Sequence, residues 1–201
     1  MLAALSMNTY AQKAYTEGVA NYTISASIGS ADTKVYFTTD SSAAVTNNGA
    51  YTAKMVSDNK STYFAVLVDV PMVSMKKAAV LSSAELTQMN GEVPVFTFTQ
   101  TPETNIINGY NCKKVTAKEA KTGSTIDVWV TNDISMPVNS ITKPFAAAGG
   151  VPVQFKTVQQ GQTVNVDLKS ISAEKVAAGS FGIAPGYEKI SFADLKALGG
   201  Q

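Results

Sequence analysis

The chain contains no histidine and no arginine; its sixteen basic residues are all lysine. Without imidazole there is no Ser-His-Asp or Cys-His catalytic constellation and no histidine metal ligand. Without guanidinium there is no bidentate fork for phosphate, carboxylate or guanine. The formal net charge is only +1 over 201 residues, and no basic stripe marks a nucleic-acid partner. One cysteine, Cys112, excludes an intramolecular disulfide and is neutral about compartment. No segment approaches the ~20 consecutive apolar residues that span a bilayer as a helix. No glycine-rich loop follows a strand and opens a helix, so there is no phosphate cradle. One tryptophan and scattered acids do not make the paired carboxylates of a glycosidase. Together these absences predict a non-enzyme with no cofactor and no metal.

What is present is alternation. In Gln162–Ser172, Val164, Val166 and Leu168 alternate with Asn165, Asp167 and Lys169, the period of a strand with one dry face. The pattern recurs at Ala20, Tyr22, Ile24, Ala26 and Ile28, at Val35 and Phe37, at Ile126, Val128 and Val130, and at Val151, Val153 and Phe155. Asn47-Asn48-Gly49, Asn108-Gly109 and Lys121-Thr122-Gly123 punctuate it with turn signals, as does Gln159-Gln160-Gly161. The expected fold is mainly β (α+β): a single curved antiparallel sheet, about ten strands, closed by a few short helices. Tyr63 to Val68 is apolar on both faces and is expected to lie centrally, covered on both sides. Ser82 with Glu85 makes a capping-box pattern for a short helix through Gln88. The whole segment from Pro71 to Asn90 is the expected cover of the dry face. Ala146 to Gly150 is expected to be a flexible small-residue hinge, and Ser191 to cap a helix over Phe192–Leu198.

Residues Met1 to Ala11 read as a signal-peptide remnant, with small residues at a cleavage site after Ala11, leaving residues 12–201 as one domain. That reading places the protein in the periplasm or outside the cell.

Four stretches carry a family resemblance: Ile106-Ile107-Asn108-Gly109-Tyr110-Asn111-Cys112-Lys113-Lys114, Val128-Trp129-Val130-Thr131-Asn132-Asp133-Ile134, Gly149-Gly150-Val151-Pro152-Val153-Gln154-Phe155 and Phe181-Gly182-Ile183-Ala184-Pro185-Gly186-Tyr187. Together they resemble a domain-of-unknown-function family of secreted Gram-negative envelope proteins, grouped with the LolA/LolB-like lipoprotein-carrier superfamily. The resemblance implies an incomplete barrel closed by helices on its concave side. It also implies shielding of acyl chains between sheet and lid, or a role in sensing envelope stress. The carriers lock the lid with a basic side chain, often arginine, which this chain does not have.

The expected ligand-binding set is Phe64, Val66, Val68, Phe96, Phe98, Val128, Val130 and Phe155 on the sheet, with Met72 and Met75 as an adaptable lid. These residues admit two readings. Either they line a cavity for a lipid or acyl chain, or they fill a solid core and the protein acts by binding another envelope protein. Cys112 has no histidine to activate it and reads as structural. Glu119, Asp127 and Asp133 read as solvated surface rather than a cation site, and the cluster of Lys113, Lys114, Lys118 and Lys121 as a solvated strand face.

Overall fold

The computed structural model describes residues 12–27, 29–159 and 162–199. The expectations for Met1–Ala11, for Ile28 on the first strand and for Gln160-Gly161 in a turn lie outside those residues.

A two-residue strand, β1 (Lys13–Ala14), leads into a six-strand meander. Its members are β2 (Gly18–Ala26), β3 (Gly29–Phe37), β4 (Ser41–Asn47), β5 (Thr52–Asp58), β6 (Phe64–Val70) and β7 (Met75–Val80). Helix α1 (Ser83–Glu92) follows, then β8 (Phe96–Ile107), β9 (Tyr110–Glu119), β10 (Thr125–Thr131) and the short β11 (Ile134–Ser135). After an irregular segment come β12 (Val151–Gln159), β13 (Gln162–Ser172), β14 (Glu188–Lys189) and helix α2 (Phe192–Gly199). Twelve strands form one sheet in the order β14-β7-β6-β5-β4-β3-β2-β13-β12-β10-β9-β8. The two meanders join where β13 pairs antiparallel with β2.

This order forces the sheet to curl. Strands β7 and β8 lie ten inter-strand spacings apart, about 48 Å if the sheet were flat. Yet they are joined only by residues 81–95, ten of which are in α1, a connection reaching about 32 Å at most. The two ends must therefore approach each other, with α1 spanning the opening between them. They do not pair, so the sheet stays open rather than closing into a barrel.

Turn chemistry sets the registers. At the β4–β5 corner, Asn47 Oδ1 accepts from Gly49 N at 2.8 Å and Asn48 Oδ1 from Ala50 N and Tyr51 N at 3.1 and 3.0 Å. At the β8–β9 corner, Asn108 and Gly109 both have positive φ, 51° and 84°, the conformation a two-residue hairpin requires and these residues tolerate. The capping box of α1 is complete: Ser82 N donates to Glu85 Oε2 at 2.7 Å and Glu85 N to Ser82 Oγ at 3.3 Å. Ser191 Oγ likewise accepts from Asp194 N at 3.0 Å at the start of α2.

The concave face carries the main core, which includes Tyr22, Val35 and Phe37 from one meander and Val115, Val128, Val153 and Leu168 from the other. A second core lies on the outer face of β4–β7, where Ala43, Val56, Ala65, Leu67 and Ala78 meet Phe181, Ile183 and Tyr187. Those three come from the segment between β13 and β14, which crosses the outside of the sheet to reach the edge of β7. Lys54 Nζ donates to Gly182 O at 3.2 Å and fixes this crossing; burial there pulls the lysine's pKa down.

The architecture differs from the expectation in four respects, and β8 departs from the pattern of its own sequence. It is not one purely antiparallel sheet: β14 pairs parallel with β7, and β1 with β11 as a separate two-stranded sheet. Met75–Val80 is a strand rather than cover, because each residue pairs into the ladder of β6. β6 is third from one edge of the sheet, and its two-sided burial comes from the crossing segment outside it. β8 runs on past Pro102, which a bulge between Gln100 and Thr104 accommodates on an edge strand that can spare the N–H. Gly149-Gly150 is a point of close packing, not a loose hinge: a Cβ on Gly150 would lie 2.7 Å from Thr131 O.

Candidate functional site

A cavity of about 550 Å³ lies against the concave face. Its floor is built from Ile24 on β2, Met55 on β5, Phe155 on β12 and Val166 on β13, with Phe64 at the start of β6. That β6 and β12 border one cavity, six strands apart in the sheet, follows from the curl. Two elements roof it. One is α1, through Leu86 and Met89; the other is the segment Val138 to Phe145. The second ends in a short 3-10 turn, Lys143–Phe145, started by Pro144. Phe145 is 1% exposed and stacks on Phe96 at 5.4 Å and against Phe155 at 4.5 Å.

Lys143 ties the two roof elements and the β5–β6 turn together. Its Nζ donates to Ser61 Oγ at 2.7 Å and to Asn90 Oδ1 at 2.9 Å, and Asn90 Nδ2 donates to Ser61 O at 3.3 Å. No ion pair among the described residues includes Lys143. Next to it, Asn139 is 3% exposed. Its Oδ1 accepts from Ile141 N at 3.0 Å and Thr142 N at 3.2 Å, which fixes the orientation of the amide. Its Nδ2 has no partner, nor does Ser140 Oγ. Tyr22 Oη beneath is also unpartnered. Burial pushes the Tyr22 phenol up to about 12; Asn139 lies close enough to offset part of that, but no hydrogen bond closes between them.

Asp58 is the one carboxylate that lines the cavity, and its oxygens serve its own turn. Oδ1 accepts from Thr62 N at 2.8 Å and Tyr63 N at 3.2 Å, and Oδ2 from the Thr62 hydroxyl. Partial burial raises its pKa, but these hydrogen bonds outweigh it and hold the carboxyl below its ordinary range. A depressed carboxyl contributes stability that is present above its unfolded pKa and lost as pH falls through the folded one. Unfolding free energy measured on acidification below the usual carboxylate range should therefore fall more steeply in the native protein than in Asp58→Asn. Equal slopes would assign the acid sensitivity elsewhere.

The ten sequence-predicted residues fall into three places. Phe64 and Phe155 line the cavity. Val128 and Val130 lie in the packed core beside it, together with Phe155, and Phe96 and Phe98 pack against that core. Val66, Val68 and Met75 are partly buried on β6 and β7 without lining the cavity, and Met72 is 90% exposed on a turn. The expected cover within Pro71–Asn90 is present as α1, which meets the cavity through Leu86 and Met89, but the sequence reading missed Ile24, Met55 and the second roof segment from Val138 to Phe145. Two signals pointed to the roof: the helical spacing of Leu86 and Met89 behind a capping box, and a loop bracketed by Pro137 and Pro144.

Cys112 is 1% exposed, and burial pushes its thiol up to about 11. A thiol-specific reagent at mildly alkaline pH should leave it unmodified in the native protein and label it fully in denaturant; rapid native labelling would contradict the structural role. Lys114 is not free either: it pairs with Glu103 at 2.9 Å and Asp127 at 3.1 Å. Among the described residues no group of three or more Cys, Asp and Glu is placed to hold a metal ion. No described helix is long and apolar enough to cross a membrane.

Fold and site together define a mainly β protein whose open, curled sheet keeps an apolar-floored cavity under a helix and a loop. The chain belongs to the family described as Domain of unknown function (DUF4412), whose model matches residues 16–187. Among curated proteins, none matches this chain. Among solved structures, it is similar to one described as "Structure of PNGF-II in C2 space group", with a TM-score of 0.48 and 16% identity. The match covers 90% of this chain but 32% of that one, so the chain spans about a third of its length. At that score the likeness bears on neither fold nor function.

Proposed function

We propose that this protein is a non-enzymatic carrier or sensor that holds an apolar ligand, a lipid or acyl chain, in the cavity between the curled sheet and its roof. The observation that supports this reading is the cavity itself. Its volume of about 550 Å³ falls within the ~300–1,000 Å³ range of small-molecule sites. Its floor of Ile24, Met55, Phe64, Phe155 and Val166 would gain ~0.8 kcal/mol per methylene buried, less the cost of moving the roof. Two methionines, Met55 and Met89, line it and can repack around ligands of different shape. The reading is in keeping with the LolA/LolB-like resemblance, with Lys143 as the basic side chain that secures the roof. It places the protein in the periplasm or outside a Gram-negative cell.

Native mass spectrometry of the purified protein, beside a denatured control, tests the proposal. An adduct in the fatty-acid or phospholipid mass range supports it. A clean apo mass, with no uptake of a fluorescent fatty acid, sinks it.

The alternative, an envelope protein that acts by binding another protein, draws on β8. This twelve-residue strand has an unpaired edge, and Ile106 on it is 70% exposed. An unpaired edge is a template for strand addition.

A further inference from the structure

The roof of the cavity has N–H donors left over once its own hydrogen bonds are made, with the hydroxyls of Ser140 and Tyr22 near them. Asn139 Oδ1 is occupied by two backbone N–H groups, so only the Nδ2 donor is left over. Lys143 has three N–H donors; two are used, and one remains with a full positive charge. The unpartnered hydroxyl of Ser140 borders the same space. Asp58, the only carboxylate in the lining among the described residues, has both oxygens engaged by Thr62 and Tyr63. A buried donor without an acceptor is costly, and a half-buried cation with no carboxylate beside it gains from an anion at the same place. A ligand that satisfies both must bring acceptor oxygens and negative charge at one end and apolar surface at the other.

We propose that the cavity takes a long-chain fatty acid, its carboxylate held by Lys143 Nζ and Asn139 Nδ2 and its chain laid over Ile24, Met55, Phe155 and Val166. This rests on the reading of the cavity as a ligand site and adds the head group. A carboxylate fits where an ester does not: two oxygens and a charge match one amide donor and one ammonium, whereas an ester carbonyl leaves the ammonium uncompensated.

The test compares palmitic acid, methyl palmitate and palmityl alcohol on the native protein, by displacement of a fluorescent apolar probe. The acid should bind about ten- to a hundredfold tighter than the ester or the alcohol. Two variants then locate the preference. Lys143→Met keeps most of the length of the side chain and removes the charge, together with the hydrogen bonds to Ser61 and Asn90. Asn139→Asp keeps the acceptor that caps the roof turn and replaces the donor with a negative charge. In each, the acid-to-ester ratio should fall to about one or below, with thermal unfolding run in parallel to verify folding. If the native protein binds all three lipids equally, or if the ratio survives both variants, the head-group assignment is overturned while the cavity reading stands. If none of the three displaces the probe, both fall together.

Discussion

Phe145→Ala is expected to lower the stability of this protein by about 3–5 kcal/mol, the cost of deleting a fully buried aromatic ring. The ring is 1% exposed and is the contact through which the roof segment is anchored to the sheet. It lies between Phe96 on β8 and Phe155 on β12, with ring centroids 5.4 and 4.5 Å away. Its loss removes apolar burial and two aromatic contacts, each worth about 0.5–1.5 kcal/mol beyond area. It also opens a hole that joins the existing cavity, since Phe145 is part of the cavity wall. Urea unfolding should show a lower midpoint, and lipid uptake should change in the same variant. Met72→Ala is the matched control. That side chain is 90% exposed, so the change should stay within about 0.5 kcal/mol of zero. A mild effect at Phe145, comparable to that at Met72, would mean that the roof is not packed on the sheet.

Gly18→Ala is expected to cost about 1–3 kcal/mol or more through overpacking. A Cβ at this position would lie 2.1 Å from Ser172 O and 3.3 Å from Phe37 Cζ. The first obstacle is backbone and cannot rotate away. Gly18 begins β2 and pairs with Phe37, while its neighbour Val19 pairs with Ser172 at the end of β13. The strain falls on the seam where the two meanders join, so β2 and β13 must separate to relieve it. Gly91 provides the opposite case. It sits in α1 with nothing within 4 Å of its missing Cβ, so Gly91→Ala should stabilise the protein by about 0.5–1 kcal/mol. Opposite signs in the denaturation midpoints of the two variants are the expected result. Destabilisation by both would show that loss of glycine flexibility, rather than the close approach at β2, sets the cost.

The sequence by itself determined those features in which one residue's surroundings are its own near neighbours. Val164, Val166 and Leu168 alternate with polar residues, and all three are buried as the period requires. The Ser82–Glu85 box and the Ser191 cap carry their hydrogen-bond partners within four residues, and Asn108-Gly109 adopts the positive φ its residue types tolerate, so local chemistry sufficed to place them. The mainly β class and most of the long strands therefore followed from pattern; Met75–Val80 did not. Which apolar face meets a cavity and which meets solid core did not. Phe96, Phe98 and Phe155 obey the same alternation, yet only Phe155 reaches the cavity wall. Phe145, forty-nine residues from Phe96 in sequence, stacks on Phe96 and stands beside Phe155 in the cavity wall, and only the fold brings it there. Periodicity reports that a side chain faces inward, not what stands opposite it.

Tertiary structure also decided the strand order. Nothing local to Met75–Val80 or Phe96–Ile107 says that the first lies next to one edge of a curled sheet and the second forms the other edge, with α1 between them. That follows from the pairing of β2 with β13, about 145 residues apart, and from a connection too short to cross a flat sheet. The donors of the roof were hidden for the same reason. Asn139 and Lys143 look like ordinary loop residues in the sequence, and only folding turns one to a buried amide and the other to a cation with no carboxylate partner among the described residues. Spacing along the chain constrains the partners of a backbone group. The partners of a side chain at the centre of a fold depend on which distant segments the curl brings over it.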